Sequence, residues 1–196
     1  MKTVLSFVAL ISLAAASSTL PSGGKVLSSC AADARVLVKT RNFTVGGHEI
    51  QVSTKACSAN IVTSRSFGKR QTLLCDTRQA TTFECATGLP PPVIADCDNL
   101  RAALPGFVAT QPPFFEPVAP QFLQSVTLGT CEYAWINNNP VGGATLEGCW
   151  SDMEEFGSIL TSGCIEVGEP AGIAFPTVPL AIPNDTWIFE FVCLSL

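Results

Sequence analysis

Tyr133, Trp135 and the run Asn137-Asn138-Asn139 place two aromatic rings and three carboxamides within seven residues. That combination suits a carbohydrate. Sugar C–H faces lie on aromatic rings, and sugar hydroxyls seek amide and carboxylate partners. The competing reading is plainer: the two rings belong to a core, and the asparagines make a turn. Trp150 and Trp187 read as core residues. Phe114 and Phe115, flanked by prolines, are either exposed anchors or part of a loop tucked onto the body.

Catalytic constellations are poorly served. Glycoside hydrolysis needs two carboxylates facing one cleft. Glu154 and Glu155 are adjacent in a helical pattern, so they point about 100° apart. Asp152 and Glu155 share a side, but an acidic i, i+3 pair is ordinarily a solvated helix face. His48 is the only histidine, which leaves little for a Ser-His-Asp or Cys-His mechanism. Nucleophile-elbow, phosphate-loop and zinc-protease motifs are lacking, as is a calcium-binding loop. The expectation is a non-enzymatic protein with no catalytic residues, no cofactor and no metal.

The nine cysteines are Cys30, Cys57, Cys75, Cys85, Cys97, Cys131, Cys149, Cys164 and Cys193. No C-x-x-C pair occurs among them, so a zinc site is a weak reading and disulfides are the stronger one. The odd count leaves at least one thiol unpaired or intermolecular, and the connectivity stays open. Oxidised cysteines need export, and the amino terminus provides for it. Lys2 is a short positive start, Thr3 to Ala16 is an uncharged apolar stretch of 14 residues, and Ala14-Ala15-Ala16 resembles a signal-peptidase site. Asn42-Phe43-Thr44 and Asn184-Asp185-Thr186 are N-glycosylation sequons. The expected location is extracellular.

Charge is divided along the chain. Residues 17–70 hold eight basic and two acidic residues, a net +6, whereas residues 71–196 hold two basic and fourteen acidic residues, a net −12. The break falls at Lys69-Arg70, a dibasic pair of the kind that late-secretory proteases cut. Two readings stand: residues 17–70 are a pro-segment, or the pair lies in an uncut surface loop. Opposite charge favours docking of the basic segment on the acidic body in either case. The acidic body lacks the basic patch that nucleic acid or anionic lipid requires. The implied organisation is a signal peptide over 1–16, a basic segment with a β-hairpin over 17–70, and an acidic cysteine-rich α+β domain over 71–196.

These residues must be positioned by elements that the patterns outline. Arg35 to Thr40 and Glu49 to Thr54 alternate, with Gly46-Gly47 as a hairpin turn. Leu89-Pro90-Pro91-Pro92 reads as a linker. Asp96 reads as the cap of a short helix with Cys97, Leu100 and Leu104 on one face, ended by Pro105-Gly106. Residues 105–121 read as loop. Gln124 to Asn137 reads as one long central strand, with Val126, Leu128, Ala134 and Ile136 on one face and Cys131, Tyr133 and Trp135 on the other. Residues 137–143 read as a turn. Leu146 to Ser162 has helical spacing with an apolar stripe of Trp150, Met153, Gly157 and Leu160, stopped by Gly163. Asp152, Glu154 and Glu155 lie largely opposite that stripe. Trp187 to Cys193 alternates as a strand. The fold class is α+β: a disulfide-stabilised sandwich of a mainly antiparallel sheet with two helices.

An ordered set of short features spans roughly residues 69–193. It comprises Lys69-Arg70-Gln71 followed by Cys75; Asp96-Cys97 with Leu100, Ala103 and Leu104; Thr130-Cys131 with Trp135, Ile136 and Asn137; Cys149 and Cys164 spanning a helix with Asp152; and the closing Trp187-Ile188-Phe189. This set resembles small secreted cysteine-rich proteins of mushroom-forming fungi, and in particular a glycan-binding, lectin-like α/β-sandwich domain. A more distant similarity is to secreted effectors of the necrosis-inducing-factor type. The resemblance implies a non-enzymatic, metal-free domain that binds cell-surface or cell-wall glycans. The alternative is an effector or toxin-like protein that acts on a protein receptor of another cell. Nucleic acid and membrane insertion are not expected, and homodimerisation is left open. Two departures stand out. A cluster of three cysteines is reduced to Cys75 and Cys85, and a Gly-Gly-x-Cys is replaced by Pro170-Ala171-Gly172-Ile173, with Cys193 as the residue that would take over that pairing.

Overall fold

Gly46 and Gly47 both take positive φ, 59° and 85°. A two-residue type I′ turn needs that pair of left-handed conformations, and its twist matches the strands it joins. The turn closes the hairpin of β1 (Val36–Val45) and β2 (His48–Ala56), as the glycine pair predicts. The structure, a computed structural model, describes residues 34–57, 71–75, 81–86, 92–176 and 187–193. The expected signal-peptide residues 1–16, Cys30, Lys69, Arg70, Leu89, Pro90, Pro91 and Asn184 lie outside the described residues.

The further elements, in chain order, are β3 (Gln71–Leu74), β4 (Thr81–Ala86), helix α1 (Ile94–Val108), β5 (Phe122–Leu128), β6 (Cys131–Asn137), β7 (Thr145–Gly148), helix α2 (Trp150–Leu160), β8 (Ala171–Pro176) and β9 (Trp187–Cys193). A π-helical turn, Thr161–Ile165, continues α2. Seven strands form one antiparallel sheet in the order β1-β2-β5-β6-β9-β8-β4. β3 and β7 pair in parallel as a small second sheet. This is the expected α+β fold: a large antiparallel sheet, two helices and disulfide staples.

The main core lies between this sheet and the helices, where Tyr133, Trp135 and Phe189 meet Leu104, Met153 and Phe156. On the other face Leu123, Ala134, Ile136, Ile173 and Ile188 form a second buried cluster. Every residue of β6 is therefore buried, as a central strand covered on both sides requires.

Four expectations need correction. Residues 124–137 are not one strand. Gly129 takes φ 57° and turns the chain between β5 and β6, pairing Leu128 with Cys131. The turn restarts the alternation, so Val126 stands opposite Tyr133 and shares its core instead of facing away with Ala134. Pro105 does not end α1, which runs on to Val108. An internal proline costs about 3 kcal/mol, but the extension fully buries Phe107. That ring lies edge-on to Phe43 at 5.2 Å and to Trp150 at 5.1 Å, a burial that returns about 1.5–3 kcal/mol.

The second helix starts later than its spacing suggests, because Thr145–Gly148 is claimed by pairing with β3. It also passes through Gly163, since Cys164 is bonded to Cys85 and the Phe83 ring lies over Gly163. Finally, Asp96 does not cap α1. The helix begins three residues earlier than an Asp96 cap would start it, at Ile94 after Val93. The Val93 N–H, just before the helix, donates to Thr130 Oγ1 at 3.0 Å. Asp96 Oδ2 accepts from the Thr130 N–H and hydroxyl, each at 2.8 Å, and its charge near the helix N-terminus is favourable.

Two disulfides grip α2 from both ends. Cys149, just before the helix, bonds Cys75, and Cys164, in the π-turn after it, bonds Cys85. Cys149 and Cys164 thus span the helix without bonding each other. Cys57 is also disulfide-bonded. Cys97 is a buried thiol, and Cys131 is buried in the same core, opposite Cys193 in the β6–β9 register.

Candidate binding site

The aromatic and amide residues singled out in the sequence lie almost wholly inside the protein. Tyr133 is fully buried, and its hydroxyl donates to Thr161 Oγ1 at 2.6 Å, which in turn donates to the Gly157 carbonyl at 2.8 Å. Burial pushes the Tyr133 phenol well above its ordinary value. Trp135 is stacked on Trp187 and edge-on to Phe115. Asn137 Nδ2 donates to the carbonyls of Val118 and Ala144, its Oδ1 accepts from the Asn139 N–H, and Asn139 Nδ2 also donates to Ala144. These asparagines staple a loop from within. Asn138 is half-buried. In this conformation neither ring offers a face to a sugar.

A shallow, open depression of about 50 Å³ lies elsewhere, where the helix-side face of the sheet approaches its β1 edge. Strand alternation puts Lys39, Arg41 and Phe43 on one side of β1, and Val52 and Thr54 of β2 share that side. Gln124 of β5 stands opposite Thr54 in register. Trp150, at the start of α2, lines the depression with Phe43, and Gln111 and Glu116 come from the segment after α1. Apolar surface therefore meets a polar rim.

Glu116 organises that rim. Its two oxygens accept from the Lys39 ammonium, both at 2.6 Å, and one also accepts from an Arg41 Nη at 2.8 Å. These cations hold its carboxyl below the ordinary value, the Lys39 hydrogen bond being the largest cause. All three side chains are about half exposed, so such pairs add little to stability and their groups stay open to a ligand. Thr54 donates to Gln124 Oε1 at 3.1 Å, and Gln124 Nε2 donates to the Ser53 carbonyl. Gln111 uses one amide proton on Thr110.

The opposite face of the sheet holds a buried charge cluster. Arg35 donates to Glu132 Oε1 at 3.1 Å and to Glu190 Oε2 at 2.5 Å. Lys55 and Thr127 donate to the other oxygen of Glu132. Both carboxylates and the guanidinium are at most 4% exposed. Among the described residues two cations thus meet two carboxylates. Burial pushes the Glu190 carboxyl above its ordinary range, against the opposing pull of Arg35. A buried cluster of this kind serves the fold. Through it, as through Lys39 and Arg41, the basic amino-terminal segment docks on the acidic body.

The remaining residues separate cleanly. Phe115 is buried whereas Phe114 is 41% exposed, which resolves the two readings of that loop. Trp150, the first residue of α2, and Trp187, the first of β9, are core residues. Asp152 is buried instead of solvated, while Glu154 and Glu155 are half-buried. Asn42 is exposed on β1, its amide donating to Glu49. Among the described residues no group of three or more His, Cys, Asp or Glu is placed to hold a metal ion, and no helix is long and apolar enough to cross a membrane.

The depression was open to sequence reading at two points. Lys39, Arg41 and Phe43 recur at a period of two, and Glu116 follows the two phenylalanines in a proline-flanked run. Their convergence depends on long-range register. No protein-family model matches the chain, and no curated protein sequence matches it.

Proposed function

We propose that this chain is a secreted, non-enzymatic carbohydrate-binding domain, lectin-like in character, that recognises cell-surface or cell-wall glycans through the depression at the β1 edge. The observation that carries the reading is the depression itself, in which half-buried Phe43, over a floor formed by Trp150, meets the Gln111 amide and a charged rim. Apolar surface beside a few polar groups is what a sugar ring needs. Glu116 is the one carboxylate among the described residues of that lining, whereas glycoside hydrolysis works with two. The disulfides support an oxidising compartment, and the amino-terminal pattern supports export.

A glycan array probed with correctly oxidised full-length secreted protein tests the reading. Binding to a defined glycan set, weakened by Gln111→Ala with unchanged melting temperature, is the expected result. Oxidised protein that binds no glycan would refute the reading.

A further inference from the structure

We infer that the sugar taken by this depression is acidic, a uronic acid unit whose carboxylate is received by Arg41. The inference rests on the glycan-binding reading above and goes beyond it to the substrate class.

The argument begins with local charge. The chain as a whole carries −5, yet the lining of the depression carries two cations, Lys39 and Arg41, against the single carboxylate of Glu116. A net positive recess on a negative protein concentrates anionic ligands at that point. Hydrogen-bond geometry then separates the two cations. Lys39 is held by both oxygens of Glu116. Arg41 engages Glu116 through one Nη and one oxygen only. Among the described residues, the rest of its planar fork makes no further hydrogen bond. A guanidinium fork matches a carboxylate bidentately. Its side chain is 56% exposed, so a ligand can reach it with little desolvation.

The apolar part of the site agrees with the same ligand. Arg41 and Phe43 are two residues apart on one face of β1, with Trp150 also lining the depression. Trp150 is only 6% exposed and forms the floor of the depression, so a pyranose ring would lie against half-buried Phe43 with its carboxylate on the Arg41 side. Glu116 then acts as an internal competitor: it fills the cationic rim when no ligand is present and discourages neutral sugars from drawing on that charge.

The test uses an oligogalacturonide and its fully methyl-esterified form, which keep ring, linkage and hydroxyls while differing in charge. Titration calorimetry on the oxidised full-length secreted protein is expected to show the acid form bound about tenfold or more tighter, the value of one charge-assisted pair. Added salt should narrow the gap. Arg41→Gln should bring the acid form down to the affinity of the ester, with unchanged melting because Arg41 is exposed on an edge strand. Glu116→Gln should tighten the acid form and leave the ester unaffected. Equal affinity for acid and ester, or weaker binding of the acid form by Glu116→Gln, would overturn the inference while the glycan-binding reading stood. Binding to no saccharide of any class would overturn both.

Discussion

Arg35 is the residue whose loss should tell most about this fold. It joins two carboxylates, Glu132 and Glu190, that have no more than 4% of their side-chain surface in water. Replacement by methionine keeps much of the apolar stem but removes the charge that reaches both carboxylates. Glu132 retains Lys55 and Thr127; Glu190 loses the guanidinium that draws its carboxyl down. Breaking a buried pair from one side costs about 3–5 kcal/mol, a large part of the roughly 5–15 kcal/mol that holds a domain together.

The pH dependence gives a second handle. The folded Glu190 carboxyl titrates above its ordinary value. Its contribution therefore favours the folded state at acid pH and is lost as pH rises through the folded value. Without Arg35 that displacement grows, and a protonated Glu190 needs no counter-ion. Urea unfolding of Arg35→Met at about pH 7 and about pH 5 should show the full loss at the first and a smaller loss at the second. Arg35→Met combined with Glu190→Gln should recover part of it, and a double-mutant cycle should show coupling of about 1 kcal/mol or more. A loss below about 1 kcal/mol at neutral pH, or an equal loss at both pH values, would refute the reasoning.

Three further outcomes are expected. Replacing Cys85 and Cys164 together by alanine should lower stability by about 3–4 kcal/mol in urea unfolding, since the bond closes a loop with a sequence separation of 79. Gly157→Ala should cost about 1–3 kcal/mol, because the added methyl would sit 2.4 Å from the Tyr133 ring, which is itself fixed by Thr161; unchanged melting would show that the ring can yield. Tyr133 is the sole tyrosine, so near-ultraviolet tyrosinate absorbance reports it alone. Its raised phenol value means that its contribution is present below about pH 10 and is lost as pH rises beyond, so tyrosinate formation should coincide with alkaline unfolding.

Local chemistry made part of this structure legible. The Gly46-Gly47 turn, the helix stripe of Trp150, Met153 and Leu160, and the alternation of β9 each depend on residues close in sequence. Tertiary context decided the rest. Phe107 carries α1 through a proline, and pairing with β3 takes Thr145–Gly148 away from a helix. β4 and β8 are short and carry weak alternation, so only their pairing identifies them. The expected sugar site failed as a surface feature for a related reason. Tyrosine, tryptophan and asparagine suit a sugar and a core equally, and only the second layer of packing tells the two apart. The depression proposed in its place joins β1, β2, β5, α2 and the segment after α1, residues more than a hundred positions apart.

The interleaving of the two disulfides sets the course of oxidative maturation. Cys75 and Cys85 emerge during synthesis well before Cys149 and Cys164, so each waits for a partner that has not yet been made. Ten residues apart, the two early thiols can close a small ring with each other first. Such a ring would leave both ends of α2 unattached, and thiolate attack would have to reopen it before the native pairs could form. Maturation would then proceed on the seconds-to-hours scale of disulfide reshuffling instead of that of chain collapse. Yield on expression should therefore follow the supply of an isomerase more closely than the supply of an oxidant.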